Sequence, residues 1–595
     1  MIPRANAVAT IPTTSPAHGS ITGGKRINNL SWKIAGAAGD GILNAGRMFA
    51  KLCMRDGLYV FASAEYPSLI RGGHNHLDIR VSDKPLASHT KWVDLLVALN
   101  QEAVDKHASK IIPGGGIIYD GDTLKVSVES LKRSDIALFP LPLLKTASAC
   151  GGPIMRNVVA MGATIGLLGV ALSSFIAILT ETFEKKGDAV VQKNIKAAQA
   201  GYDLVKGKPF PVSLKKQPGP QRLFMSGNEA MTAGAIKAGL TFFAAYPMTP
   251  ASSILHTVAA NEKDYNIVVK HTEDEITAIN AAIGASYAGA RSMTATSGGG
   301  FALMVEGLGL AAQTETPLVV ANVMRPGPGS GMATHSGQGD LQYVLHASTD
   351  EFPRVVVAPG DAAENYTLGF EAFNLADQYQ LPVILLSDKY LAESYCSVDP
   401  LPHQLSVHRG KMVTTAQQNY KRYALTKDAV SPRARPGIPG CMFVASSYEH
   451  DEEGNECEEP AVRVAMHQKR FRKIEQLAKT LPQPKLIGPA DAPITFVSWG
   501  SPKGPILEAM KLLKSDGVAT NFLQLMYLSP FPTETVSRIL KKAKQLVLVE
   551  SNMTSQLGSL IREQCLITIK EKILRYDGRP FDPEDIVAAI KEMIV

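Results

Sequence analysis

At 595 residues the chain is longer than one hydrophobic core ordinarily supports, so several domains are expected. Hydrophobic residues make up 45% and charged residues 19%, with 50 Gly and 37 Pro, which excludes a fibrous or disordered chain and suits α/β layers joined by tight turns. A net charge of +6 without a dense Lys/Arg block gives no nucleic-acid signature, and six cysteines without C-x-x-C spacing encode neither a zinc site nor a local iron–sulfur cluster.

Reduced thiols in a cytoplasm are the expectation for such cysteines. Residues 1–28 hold no acidic residue and no continuous apolar core of the secretory kind, and read as a disordered leader. Residues 29–205 form a first unit: a strand enters the turn Gly36-Ala37-Ala38-Gly39-Asp40-Gly41, a helix follows over 42–56, and strand-like runs recur at 95–99 and 116–119. The uncharged stretch 158–179 has the length of a membrane span. Its Gly162, Gly166, Gly169 and Ser173-Ser174 instead predict two short buried helices joined by a turn, and no membrane segment. Four prolines make 206–222 a linker.

Strands alternate with helices across 223–395, at 241–245, 292–296, 317–323, 354–358 and 382–386, which is the pattern of a doubly wound domain. Residues 396–488 are a turn-rich connection with a basic helix over 466–481. A third α/β unit, 489–595, opens with a strand at Ile494 and includes another at 545–550.

Three places in the second unit carry residues suited to chemistry. In Tyr246-Pro247-Met248-Thr249-Pro250 the prolines hold one hydroxyl on a rigid bend at the end of a strand, where α/β sheets place ligands; the same residues also suit an ordinary turn with Thr249 or Ser252 capping the next helix. Glu273, Asp274 and Glu275 open an Ala/Gly-rich helix, either as an acidic first turn favoured by the helix dipole or with one acid in a dry pocket that raises its pKa. Thr296-Ser297-Gly298-Gly299-Gly300 and Arg325-Pro326-Gly327-Pro328-Gly329, with His335 and Gln338 beyond, follow two successive strands; such loops let amides approach an anion and a guanidinium grip a carboxylate, or they are simply turns. The Gly36–Gly41 turn has the wrong spacing for a dinucleotide fingerprint and lacks the downstream Asn ligand of a magnesium-diphosphate element.

Taken in order, these motifs resemble the 2-oxoacid:ferredoxin oxidoreductases, and most closely the fused gamma–alpha subunit of the 2-oxoglutarate type, over residues 30–595. The first unit is similar to the family's gamma domain through the Gly36–Gly41 turn and the run from Glu65 to Asn75. The second resembles the thiamin pyrimidine-binding domain through Gly227-Asn228, Tyr246–Pro250, Glu275, Thr294–Gly298 and Gln338-Gly339-Asp340-Leu341. The third is similar to a transketolase C-terminal-like domain through Trp499-Gly500-Ser501 and Val549-Glu550-Ser551-Asn552.

The resemblance implies that Glu275, with Glu273 as the alternative, hydrogen-bonds the aminopyrimidine, and that Tyr246, Pro247, Met248, Ser297 and Gly298 line the cofactor. It implies that Thr249 and Arg325 meet the substrate, and places His335 where relatives often carry Lys or Arg for a second carboxylate. It also implies oxidative decarboxylation of a 2-oxoacid with coenzyme A to acyl-CoA, CO2 and reduced ferredoxin, reversible toward CO2 fixation as in a reductive tricarboxylic acid cycle. Thiamin diphosphate is then shared with a beta subunit that holds Mg2+ and a [4Fe-4S] cluster, in an (alpha-beta)2 assembly, with no metal on this chain. Pyruvate, branched-chain or aromatic 2-oxoacids are the rival substrates, and a non-catalytic scaffold the rival role.

Overall fold

The computed structural model describes residues 25–69 and 72–594; the leader expected at 1–28 therefore lies almost wholly outside the described residues. The chain divides into two compact units: the first comprises Met1–Phe224, Ser394–Pro400 and Asp582–Val595, the second Met225–Glu393 and Leu401–Phe581.

In the first unit the elements are β1 (Asn29–Ala37), α1 (Ile42–Arg55), β2 (Tyr59–Glu65), β3 (His74–Ser82), β4 (Val93–Ala98), α2 (Gln101–His107), β5 (Ile111–Asp120), β6 (Ala137–Leu141), α3 (Arg156–Leu167), α4 (Leu172–Phe183) and α5 (Asp188–Asp203). The sheet runs β6-β5-β4-β1-β3-β2, then the strands Tyr395–Val398 and Leu223–Ser226. It is not wholly parallel: β1 pairs β4 in parallel but β3 antiparallel, and β3 pairs β2 antiparallel. A short connection can join β2 to β3 only as an antiparallel pair.

The apolar stretch 158–179 falls into α3 and α4, and no helix among the described residues is long and apolar enough to cross a membrane. Its glycines serve a close helix crossing. A Cβ at Gly162 would lie 2.9 Å from the Ala198 carbonyl carbon, and one at Gly201 would lie 2.8 Å from that of Val159, so α3 and α5 pack backbone to backbone. Trp32 of β1 and Phe49 of α1, with ring centroids 4.8 Å apart, are fully buried between strand and helix.

The second unit opens with α6 (Gly227–Lys237), β7 (Phe242–Ala245), β8 (Val268–His271), α7 (Glu275–Tyr287), β9 (Ser292–Thr296), α8 (Gly298–Leu303), β10 (Leu318–Met324), β11 (Val355–Val357), α9 (Ala362–Tyr379) and β12 (Pro382–Asp388). After the connection come α10 (Pro460–Ala478), β13 (Leu486–Ile487), β14 (Ile494–Ser498), β15 (Thr520–Gln524), β16 (Tyr527–Ser529), β17 (Gln545–Glu550) and β18 (Glu571–Leu574). One sheet has the order β8-β7-β9-β10-β12-β11-β16, parallel except for β16, and a second has the order β13-β15-β14-β17-β18. Strands β9, β10, β12 and β14 are buried on both faces, which is why they read as mainly apolar or small-residue runs.

The connecting segment is fastened to this unit by buried charge. Glu315 accepts from Lys469 Nζ at 2.5 Å and pairs with Lys473, both lysines lying on α10 with no exposed surface. Arg422 donates to the Glu315 carbonyl at 2.7 Å. Asp377 on α9 takes Arg291, Arg409 and Arg433 at 2.9, 2.9 and 3.2 Å. The basic helix thus turns cations inward, and each has a carboxylate or carbonyl to meet it, the condition under which buried charge persists.

Candidate active site

Asp274 is the N-cap of α7, in extended conformation, and accepts from the Thr277 amide at 2.7 Å. The next side chain, Glu275, is directed inward and is only 3% exposed, while Glu273 is exposed. Acid in the first turn is therefore divided between a cap and a buried group. Burial pushes the Glu275 carboxyl above its ordinary range, and the Asp274 charge adds to that. Its Oε1 has no hydrogen-bond partner among the described residues.

Glycine makes room for this carboxylate. A Cβ at Gly300 would sit 2.8 Å from Glu275 Cδ, and one at Gly298 would sit 2.6 Å from Asp340 Oδ2. Three consecutive glycines at the start of α8 cost helix propensity of about 1 kcal/mol each, so their place is set by close approach. Ser297, the N-cap of α8, is fully buried with its hydroxyl unpartnered. Thr296 reaches Met248 Sδ at 3.9 Å, which ties the end of β9 to the bend after β7.

That bend is joined to the end of β10. Arg325 Nη1 donates to the Thr249 carbonyl at 2.7 Å, and the guanidinium Nε is buried without a partner among the described residues. Burial lowers the Arg325 pKa and the Asp340 carboxylate opposes that; Asp340 in turn is raised by burial and accepts from Asn322 at 3.3 Å. Neither Thr249 nor Ser252 caps the following helix. Asn228 at the start of α6 supports the bend from below, donating to the Pro250 carbonyl at 2.9 Å and to Ser253 at 2.8 Å.

The tips of four parallel strands, β7, β8, β9 and β10, thus bring Met248, Thr249, Glu275, Thr296, Ser297 and Arg325 together. Tyr246 and His335 stand outside that set. Tyr246 is 40% exposed, its ring 6.3 Å from that of His271, and His335 lies beside Thr334 and Gly578. Gln338 belongs to a different junction: it donates to the Trp499 carbonyl and exchanges bonds with Ser551, both at 2.8–2.9 Å. Asn228, Gly300 and Asp340 stand in the sequence motifs quoted above without a role of their own, and Asn322 stands in none of them. A triple glycine where a helix begins was the one local signal for Gly300; the other three meet the site only through the fold. In the first unit, Asp40 of the Gly36–Gly41 turn accepts from the Ala37 amide at 2.9 Å and from Arg156 at 2.8 Å, so it stabilises its own loop.

The group that fits these residues is a flat, nitrogen-bearing ring. A buried acid of raised pKa with one unpartnered oxygen can share a proton with a ring nitrogen, and the glycines allow the ring to lie against backbone.

Family models agree with this. The thiamine diphosphate-binding model of pyruvate flavodoxin/ferredoxin oxidoreductases matches residues 233–469, the pyruvate ferredoxin/flavodoxin oxidoreductase model matches 31–204, and core domain II of pyruvate:ferredoxin oxidoreductase matches 492–586. The chain is 32% identical to the 2-oxoacid:ferredoxin oxidoreductase subunit alpha of Sulfolobus sp over 95% of its length and 97% of that protein. It is 33% identical to subunit alpha of 2-oxoacid:ferredoxin oxidoreductase 2 of Aeropyrum pernix, over 95% and 98%. The solved 2-oxoglutarate:ferredoxin oxidoreductase from Magnetococcus marinus, with 2-oxoglutarate, coenzyme A and succinyl-CoA bound, superposes with a TM-score of 0.90 at 34% identity, over 96% of this chain and 100% of that one. This chain belongs to the 2-oxoacid:ferredoxin oxidoreductases, as an alpha subunit that carries the thiamine diphosphate-binding domain.

Proposed function

We propose that this subunit serves a 2-oxoglutarate:ferredoxin oxidoreductase, forming succinyl-CoA, CO2 and reduced ferredoxin, and that Glu275 is its cofactor-activating acid. The observation that carries the site reading is the buried Glu275 carboxyl, raised by desolvation, with an unpartnered oxygen against Gly300. Thiamin diphosphate, when bound, supplies the nucleophilic carbon and the electron sink for decarboxylation. Glu275 holds a proton at the aminopyrimidine. Met248, Ser297 and Gly298 shape the ring's bed, with Tyr246 and Pro247 at its rim. Arg325, one arm anchored on the Thr249 carbonyl, offers its remaining N–H groups to the 1-carboxylate of the substrate, and Thr249 stands beside them.

The choice of 2-oxoglutarate is supported by the ligands of the Magnetococcus marinus neighbour and by relatives named 2-oxoglutarate oxidoreductase subunit KorA. His335 is the group we assign to the distal carboxylate. Magnesium, the diphosphate contacts and the iron–sulfur cluster are assigned to a beta subunit, in an (alpha-beta)2 complex that reduces ferredoxin. The six thiols, none in a disulfide, suit a cytoplasmic setting.

The test is viologen reduction by the reconstituted complex across a panel of 2-oxoacids with coenzyme A. The highest kcat/KM is expected for 2-oxoglutarate, with KM for it raised in His335→Ala; equal rates on pyruvate would overturn the substrate choice. Glu275→Gln is expected to lose most turnover while staying folded, and Glu273→Gln to keep it. The opposite pattern would move the acid to Glu273.

A further inference from the structure

Three histidines of the first unit, none engaged above, converge near the end of β1. In the β1–β3 pairing Ala35 stands opposite His76 and Ala37 opposite His74, so the two-residue period of the strand turns both imidazoles to one face. His107, the last residue of α2 and 4% exposed, supplies a third ring. The ring centroids are 4.8–5.8 Å apart, and one nitrogen from each lies within 4.8 Å of the other two.

Hydrogen bonding among neutral rings leaves this cluster unsatisfied. His74 Nε2 and His107 Nε2 are 2.7 Å apart, so one proton lies between them and the accepting ring carries its own proton on Nδ1. All three Nδ1 atoms are buried without a hydrogen-bond partner among the described residues, so that proton finds no acceptor, which is unfavourable in a buried setting. His76 differs: its Nε2 faces Asp78 Oδ2 at 3.2 Å, an arrangement that orients a metal-binding imidazole and leaves its Nδ1 lone pair open.

We propose that His74, His76 and His107 form a three-imidazole site for a divalent transition metal of the zinc type, with Asp78 orienting His76 and water completing the tetrahedron. Zinc–nitrogen bonds of about 2.0–2.1 Å in a tetrahedron require nitrogens about 3.3 Å apart. The 2.7 and 4.8 Å separations bracket that value, so rotation of the rings suffices. Imidazole donors favour zinc, copper or nickel over magnesium or calcium. The surrounding charge permits a cation: Lys33 is paired with Asp78 at 2.7 Å, and Glu65 lies 3.9 Å from His76. Cysteine spacing, the Gly36–Gly41 turn and the family resemblance all pointed to no metal on this chain, and a His-x-His pair completed by a distant helix is not a local motif.

The test uses the full-length chain, stripped by a chelator and titrated with Zn2+ against a chromogenic competitor, then with Co2+ for its visible spectrum. One tight equivalent with intense tetrahedral Co2+ bands is expected. His107→Gln and His76→Gln should each weaken it by more than about 100-fold, beyond the ~10–100-fold that loss of an orienting partner alone costs. Absence of a stoichiometric site, or unchanged binding in the folded variants, would overturn the proposal. If the buried His107→Gln chain fails to fold, the more exposed His76→Gln chain decides the matter. Because the readout is binding, it is independent of the 2-oxoacid assay.

Discussion

Adding one methyl group at Gly300 tests the site by displacing Glu275 without changing its chemistry. The new Cβ would stand 2.8 Å from Glu275 Cδ, whereas carbon pairs settle at about 3.5 Å or more, so the carboxyl must retreat by about 0.7 Å. Thr296 blocks the alternative, because its hydroxyl is also against that Cβ. Misplacing a reacting group by about 1 Å can cost ~100-fold in rate, so kcat for Gly300→Ala should fall by about 10- to 100-fold. Alanine favours helix over glycine by about 1 kcal/mol, which offsets part of the ~1–3 kcal/mol that overpacking costs, so the melting temperature should fall only slightly. The assay is viologen reduction by the complex with its beta subunit, at saturating 2-oxoacid and coenzyme A, alongside a thermal melt of the chain. A folded Gly300→Ala enzyme with parental kcat would refute the claim that the position of Glu275 controls turnover.

Other expectations concern stability. Glu315→Ala leaves Lys469 and Lys473 buried without their carboxylate and should cost about 3–5 kcal/mol; thermal melting and proteolysis within residues 396–488 would report it, and an unchanged melt would show that the ion cluster does not fasten the segment. Gly201→Ala should cost about 1–3 kcal/mol by pushing α5 off α3, against a smaller gain in helix propensity; a more stable variant would mean that the crossing yields easily. Glu550 is buried and its pKa is raised from 4.5 to about 7 by desolvation. The folded chain therefore keeps a proton that the unfolded chain releases, and stability from this group falls as pH rises from about 4.5 to about 7. At 1.36 kcal/mol per unit the loss is about 3 kcal/mol, then constant above pH 7. Glu550→Gln should lack that dependence, so equal pH slopes of the melting temperature in variant and parent would count against it.

The sequence by itself determined the layered α/β class, the split of 158–179 into two helices and, in the second unit, strands β7, β9, β10, β11, β12, β14 and β17. Each of these rests on local pattern: a period, a glycine, a proline or a run of apolar residues. Doubly buried β9, β10, β12 and β14 were legible because a strand covered on both faces favours apolar and small side chains, with Asn322 and Asp388 as buried polar exceptions. Adjacent acids were not separable in this way, since Glu273, Asp274 and Glu275 share one composition and one helix start.

Only the tertiary structure decided among them, because burial and capping depend on what packs over a helix end: Asp274 caps, Glu275 is enclosed by Gly300 and Glu273 remains in solvent. The same holds for Arg325 against Thr249, for the lysines of α10 turned onto Glu315, and for His107 beside His74 and His76, all contacts between residues distant in the chain. Local pattern fixes which face of an element is apolar; which polar groups meet across elements is set by how the sheets and helices close, and the chemistry of this protein lies in those meetings.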